Sequence, residues 1–290
     1  MHSYHKHIFL TYLFALVICI ASLRAQECDT CPGYIHNTTL QTGLEFIEYV
    51  SPLPTFSGDS KIQILRIDPT YFDVELLNSS AVDSVNRTAR EWADTFCLQA
   101  VINAGMYNLK NYLTNRGYMK NFAHYNNPKQ DKNWGAVFGF NAKDKKVKPF
   151  EIYDLNCTPW ENVEPHYNTL IQSMRIFDCR GVGQPWSKRA KLKSSICVLA
   201  LDSKYRLMFI FTRSLYSMNQ FIQIMKQMPF DVQQAIYMEG GPEASMYICS
   251  GEFERELIGN YITNHYQINN NVKIWKLPNV IGIKAKKLSN

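Results

Sequence analysis

The sequence predicts an α+β protein: a mixed, largely antiparallel sheet with helices packed against it, in a single domain. Strand-like runs outnumber helical ones, and the strongest helix signal, at 217–228, falls between two strand-like runs. No repeat of 20–50 residues and no low-complexity linker divides the chain. The predicted boundaries are a leader over 1–25, an N-terminal extension over 26–60 and one domain over 61–290.

In the leader, His5, Lys6 and His7 precede an apolar run from Ile8 to Leu23 that closes on Leu-Arg-Ala. That is the form of a secretory signal peptide cut near Ala25. The run is short for a membrane span, which needs about 20 apolar residues. We expect a secreted protein, periplasmic or extracellular, with no membrane span after cleavage.

Lys61 to Asp68 and Tyr71 to Leu77 alternate apolar and polar residues around Pro69-Thr70, the pattern of a hairpin. Arg87 to Phe96 reads as a short helix, and Cys97 to Asn103 as a buried strand running into a glycine turn. The stretch from Tyr107 to Asn133 is polar, aromatic and rich in Asn without clear periodicity, so it reads as a long functional loop. Trp134 to Asn141, Phe150 to Leu155 and Thr169 to Phe177 read as strands. Ser195 to Leu201 and Tyr205 to Thr212 flank Asp202-Ser203-Lys204 as a second hairpin. Ser217 then caps a helix that carries Phe221, Ile224, Met225 and Met228 on one face and stops at Pro229; Gln233 to Met238 is the next strand.

Apolar residues make up 46% of the chain, enough for a substantial core. The formal charge of +6 falls to +4 once Lys6 and Arg24 leave with the leader, and basic residues cluster only at 143–148 and 188–193. Mild attraction to anions follows, without a nucleic-acid footprint. Seven cysteines lie beyond the leader, so at least one stays outside any intramolecular disulfide. Cys28 and Cys31 have redox spacing but no strand-to-helix context, and read as a local disulfide or free thiols. Glycan acceptor triplets start at Asn37, Asn78, Asn86 and Asn156.

Two apolar strands end alike, in VINAGMYN (101–108) and IYMEGGPEASM (236–246). Asn103 closes one strand and Glu239 the other. If the strands are neighbours, both ends line one pocket, with Tyr107 and Ser245 beside them. Gly105, Gly240 and Gly241 would let backbone N–H groups approach a phosphate closely. A carboxylate ending an apolar strand must be paired, hydrated in a cleft or functional, because burying it alone costs several kcal/mol; Glu243 follows as a second acid. Gln172, Ser173 and Arg175 sit in another apolar strand, with Ser173 and Arg175 on one face. Trp186, Arg189 and Lys193 precede the next strand, where a cation could hold phosphate and the indole could stack on a sugar.

INAGMYN (102–108), LIQSMRI (170–176), the basic segment before SSICVLALD (194–202) and AIYMEGGPEASM (235–246) stand in the order and approximate spacing of the phosphodiester glycosidase family. Over roughly Lys61 to Ile248 the chain resembles that family, its bacterial secreted branch most closely. The resemblance implies hydrolysis of a sugar-1-phosphate diester to free sugar and a phosphomonoester. It also implies a pocket of Asn103, Gly105, Gln172, Arg175, Glu239, Gly240 and Gly241, with Arg189 or Lys193 in the part of a family Arg. The family's Asp-Gly-Gly-Gly-Ser is replaced here: Glu239 stands at the Asp, Pro242 at the third Gly and Glu243 at the Ser.

The departing phosphomonoester is a weak base, so charge stabilisation should dominate the chemistry. Arg175 with Arg189 or Lys193 would hold the phosphate, the amides of Gly240 and Gly241 would add donors, and Glu239 would activate water or face the cationic sugar carbon. No cofactor is required. Asp154, Glu239 and Glu243 offer oxygen ligands that would suit Ca²⁺, although no spacing motif demands a metal. The competing class is a non-catalytic secreted module binding phosphodiester-linked surface glycans.

Overall fold

The computed structural model describes residues 31–287 except 56, 109, 188–191, 263–266 and 269–271. The leader, Cys28 and Arg189 lie outside the described residues.

A six-stranded sheet runs in the order β1 (Ile35–Gln41), β2 (Leu44–Val50), β3 (Lys61–Ile67), β14 (Leu207–Ser217), β13 (Lys193–Asp202), β15 (Val232–Gly240). A second sheet of five runs β11 (Phe150–Asp154), β10 (Ala136–Ala142), β12 (Tyr167–Ser173), β8 (Met119–Asn121), β9 (His124–Asn127). A third runs β17 (Phe253–Ile258), β16 (Ser245–Ser250), β5 (Ala100–Asn103), β20 (Asn279–Ala285), β4 (Phe72–Asn78). Two short pairs join β6 (Tyr107–Asn108) to β7 (Asn111–Asn115) and β18 (Tyr261–Ile262) to β19 (Gln267–Ile268). Among the described residues no helix is long and apolar enough to cross a membrane.

The three large sheets bury one shared core, with Phe46 and Leu65 from the first, Phe138 and Ile171 from the second, and Ile102, Met246 and Ile281 from the third. Two helices close the outer faces. Helix α1 (Ala89–Phe96) lays Trp92 against Val101, Tyr247 and Val280. Helix α2 (Met218–Gln227) lays Phe221, Ile224 and Met225 on Ile64, Val198 and Ile210 of the six-stranded sheet. That sheet is thus covered on both faces, which is why β13 and β14 read as nearly continuous apolar runs. Both helices start on a capping box, Thr88 with Glu91 and Ser217 with Gln220. Cys97 ends α1 in the left-handed conformation, φ 54°.

Four expectations change. Every strand pair among the described residues is antiparallel, so the sheets are not mixed. Helix α2 does carry the chain between two parallel strands, β14 and β15, but β13 lies antiparallel between them. The hairpin around Pro69-Thr70 does not form: β3 pairs with β2 and β14, whereas β4 pairs with β20 in another sheet. Alternation identifies a strand and leaves its neighbour open. Residues 107–133 hold four short strands in place of a long loop. The segment 35–50, counted as an extension, supplies two strands and puts Leu44, Phe46 and Ile47 into the core.

By contrast, β13 and β14 form the hairpin expected around 202–204. Beyond β12 the chain then turns along the outer edge of β15. Tyr237 N–H donates to Met174 O at 3.0 Å, Ile176 N–H to Ala235 O at 3.0 Å, and Arg175 bridges Ile236. Ser173 Oγ–H also donates to Tyr237 O. An edge that would otherwise be open is paired, and the second sheet is stitched to the first.

Phe138 is fully buried where the sheets meet and stacks on Phe140 at 4.9 Å. Phe138→Ala should lower unfolding free energy by about 3–5 kcal/mol, read as a drop in the urea midpoint.

Candidate active site

Two adjoining depressions open where β15 ends. The first, about 440 Å³, is lined by Met106, Tyr107, Asn108, Lys110, Tyr112, Arg116, Glu239 and Glu243. The second, about 540 Å³, includes Arg116, Lys132, Trp134, Asn156, Arg175 and Trp186. Met106 and Arg116 form their common wall. The first holds both acids beside Lys110 and Arg116, whereas the second is lined by cations and indoles with no acid.

The acids come from the end of β15 and the turn after it. Cys197 of β13 opposes Glu239, so Glu239 is held on the last rungs of the ladder and is half-buried. The strand runs one residue past Glu239, and the turn is made by Gly241–Glu243 with Gly241 at φ +69°. Tyr112 Oη–H donates to Glu243 Oε1 at 2.9 Å, and the Tyr112 ring packs on Tyr107 at 5.3 Å. Burial pushes the Glu243 carboxyl above the ordinary carboxylate range, while the Tyr112 hydrogen bond pulls the other way. Tyr107 is buried, and its hydroxyl has no hydrogen-bond partner among the described residues. Its acidity is strongly suppressed, first by burial and then by the charges of Glu239 and Glu243.

Arg175 enters the second depression because residues 174–177 follow β15. Its Nη1 pairs with Asp154 Oδ1, and the Asn156 amide oxygen accepts from Nη1 and Nη2 at 2.8 and 3.2 Å. Its Nε is buried without a partner among the described residues. Asp154 Oδ2 also accepts the Cys179 N–H at 3.2 Å, and a Cys157–Cys179 disulfide ties the turn after β11 to the segment after β12. Trp186 donates its indole N–H to Arg175 O at 3.2 Å and meets Tyr237 edge-on at 5.1 Å. Arg116 pairs with Asp131 at 3.2 Å and lies 5.7 Å over the Trp134 ring.

Glu239, Glu243 and Tyr107 therefore line one hollow, and Arg175 and Trp186 the next. Other expected residues serve the frame. Strands β5 and β15 are not neighbours; Asn103 is fully buried and meets the acid turn at Ser245, whose N–H donates to Asn103 Oδ1 at 3.1 Å, while its Nδ2 has no hydrogen-bond partner among the described residues. Ser245 is itself buried. Both amide atoms of Gln172 bind backbone: Oε1 accepts from Tyr118 and Asp131 N–H, and Nε2 donates to Asp131 and Trp134 O. That clamp fixes the acid and the indole that hold Arg116. Ser173 is engaged with Tyr237 O.

Gly105, Gly240 and Gly241, expected to cradle a phosphate, line neither depression. Gly240 N–H donates to Glu239 Oε1 at 3.0 Å, and a Cβ there would stand 2.6 Å from Ser195 O. At Gly105, φ +69°, a Cβ would strike Asn115 Oδ1 at 2.3 Å. Lys193 is exposed at the start of β13 and lines neither depression. Asp154 is grouped with Cys157 and Cys179, both taken by the disulfide, and not with Glu239 and Glu243, so among the described residues the suggested Ca²⁺ ligand set is not assembled.

Met106, Tyr112, Arg116 and Lys132 escaped sequence reasoning as individuals, as did Trp134 as part of a site. For Tyr112, Arg116 and Lys132 the signal is the aromatic, polar composition of 107–133, which marks the stretch as functional without choosing among its residues; Met106 lies in the VINAGMYN stretch and Trp134 opens a predicted strand.

A sequence profile of the phosphodiester glycosidase family matches residues 96–284, a span that contains both depressions. No curated protein matches significantly. Among solved structures, the chain is similar to a hypothetical protein from Synechocystis, with TM-score 0.58 and 12% identity over 87% of this chain; it spans 64% of that one. It is also similar to the zebrafish N-acetylglucosamine-1-phosphodiester α-N-acetylglucosaminidase catalytic domain auto-inhibited by pro-peptide, with TM-score 0.51 and 13% identity over 86% of this chain and 81% of that one. At such identities the likeness is one of fold.

Because the folded state holds the Glu243 proton more tightly than the unfolded chain does, its ionisation destabilises the fold as pH rises through the raised value. Glu243→Gln keeps an acceptor for Tyr112 and removes the titration. The melting temperature of the wild type should therefore fall relative to Glu243→Gln as pH rises above the ordinary glutamate value of about 4, measured by thermal denaturation.

Proposed function

We propose, since this chain belongs to the phosphodiester glycosidase family, that it is a hydrolase cleaving the glycosyl–phosphate bond of a sugar-1-phosphate diester to free sugar and a phosphomonoester. The observation that carries the reading is the shared wall of Met106 and Arg116 between a depression that holds both acids and one lined by cations without an acid. A glycosyl phosphate has the matching polarity. Its sugar is neutral, rich in hydroxyls that suit carboxylates and the unpartnered Tyr107 hydroxyl, and its phosphate is anionic.

In this reading the sugar lies against Tyr107 and Tyr112 with its anomeric carbon toward Glu239. The phosphate lies toward Arg116 and Arg175, with the unpartnered Arg175 Nε among its donors. Glu239 takes a proton from the water that attacks the anomeric carbon. Arg175 is already paired with Asp154, so phosphate is an added partner, held by a guanidinium that cannot swing away. The apolar leader and the Cys157–Cys179 disulfide support secretion into an oxidising compartment.

A second reading, a non-catalytic module binding phosphodiester-linked glycans, is favoured by one observation: Glu239 replaces the family Asp and binds its own neighbour's N–H. Turnover separates the two. With a sugar-1-phosphate diester of a chromogenic alcohol, coupled to a phosphatase, the wild type should release colour, and Glu239→Gln should lower kcat by about 100-fold or more. Saturable binding without release identifies the module instead. Arg175→Ala should raise KM by about tenfold or more and weaken inorganic phosphate binding; unchanged affinity removes Arg175 from the site.

A further inference from the structure

Glu243 stands where the Asp-Gly-Gly-Gly-Ser pattern has its Ser, and the fold fixes this added carboxylate from behind and from in front. The turn that presents it is fixed from behind, since Ala244 N–H donates to Gly241 O at 3.2 Å and Gly259 N–H to Ala244 O at 2.8 Å. In front, Tyr112 comes from a different part of the chain, 131 residues away, and meets Oε1 at 2.9 Å. The β6–β7 pair that carries Tyr112 is closed by Arg116 N–H on Met106 O at 2.7 Å, so the phenol is delivered from the common wall of the two depressions. A tyrosine 38% exposed has the solvent as an alternative partner, and nothing in the fold's core requires it to bind a carboxylate.

From this contact we infer that Tyr112 is a positioning residue for hydrolysis: it holds Glu243 Oε1 so that Oε2 carries the proton given to the departing phosphate oxygen. The inference rests on the hydrolase reading above. In the step, the bond from the anomeric carbon to the phosphate oxygen breaks and its electron pair stays on that oxygen, which takes the Glu243 proton. The water oxygen bonds to the anomeric carbon and its proton passes to Glu239. Solvent then returns a proton to Glu243 and removes one from Glu239, so no other reactant is needed. The chain thereby supplies acid assistance from a residue that its family pattern lacks.

The groups facing Glu243 are Glu239 of β15, Tyr107 of β6, Lys110 of the connection to β7, Tyr112 of β7 and Arg116 beyond it, all lining the same hollow. Behind them β13 offers buried Cys197, opposite Glu239, and exposed Lys193. Burial raises the Glu243 carboxyl and the Tyr112 hydrogen bond lowers it. Removing the hydroxyl therefore moves its titration to higher pH.

Tyr112→Phe retains the ring against Tyr107 and removes only the hydroxyl. With the sugar-1-phosphate diester as substrate, it should lower kcat by about tenfold with little change in KM, and shift the alkaline limb of kcat/KM upward by about half a pH unit or more. An unmoved alkaline limb, or a loss confined to KM, overturns the inference. If the wild type turns over nothing, the hydrolase reading fails separately. The Tyr112–Glu243 coupling is then judged by NMR of ¹³C-carboxyl-labelled glutamate, with Glu243→Gln assigning the signal: an upward shift of the Glu243 midpoint in Tyr112→Phe sustains the coupling, and an unmoved midpoint refutes it. Tyr112→Ala, which also removes the stacked ring, separates loss of the hydroxyl from loss of local packing by its larger fall in melting temperature.

Discussion

The free edge of β15 is where the architecture and the chemistry meet. A strand buried on both faces and paired on one side only would leave a row of donors and acceptors without partners. Residues 173–177 supply them, through Ser173 Oγ, Met174 O and the backbone contacts to Ala235 and Ile236. The strand that ends in Glu239 and the segment that carries Arg175 are thereby bound to each other, although more than 60 residues separate them in the chain. An acid end and a cation end standing side by side follow directly from closing that edge.

Support around this edge is layered. Asp154 and Asn156 hold the Arg175 guanidinium, and the Cys157–Cys179 disulfide fixes the two segments they come from. Gln172 holds Asp131 and Trp134, which in turn hold Arg116 by ion pair and by ring contact. Asn103 holds Ser245 beneath the acid turn. Several polar residues that motif reasoning assigns to a ligand thus act one step behind it. Each is buried, and a buried amide or hydroxyl is costly unless bonded. Backbone groups were its nearest partners.

Membership of the phosphodiester glycosidase family is carried by residues 96–284, and the fold likeness extends to most of the chain. Within that frame the Glu-Gly-Gly-Pro-Glu turn gives this protein two carboxylates in one depression. Glu239 is seated on the sheet, whereas Glu243 depends on a tyrosine delivered by the β6–β7 hairpin.

Much of the fold was legible in the residues. Apolar runs located β5, β10, β11, β12 and β13–β15, and the Ser217 cap with Pro229 bounded α2, because burial and capping leave local signatures. Glu239, Glu243, Tyr107, Arg175 and Trp186 are candidates that the sequence names, and each of them lines one of the two depressions. Strand partners were not legible: alternation says which face is buried and nothing of which strand lies beside it, so the 61–77 hairpin and the mixed sheet were misread. The contributions of Met106, Tyr112, Arg116 and Lys132 are equally hidden, since Tyr112 sits in a short strand without an apolar period and the other three in connections between strands. The sequence by itself determined the acids, the cations and the strands that bear them. Only the tertiary structure decided which polar groups reach the open hollow and which are consumed in holding it, because that depends on hydrogen bonds between residues far apart in the chain.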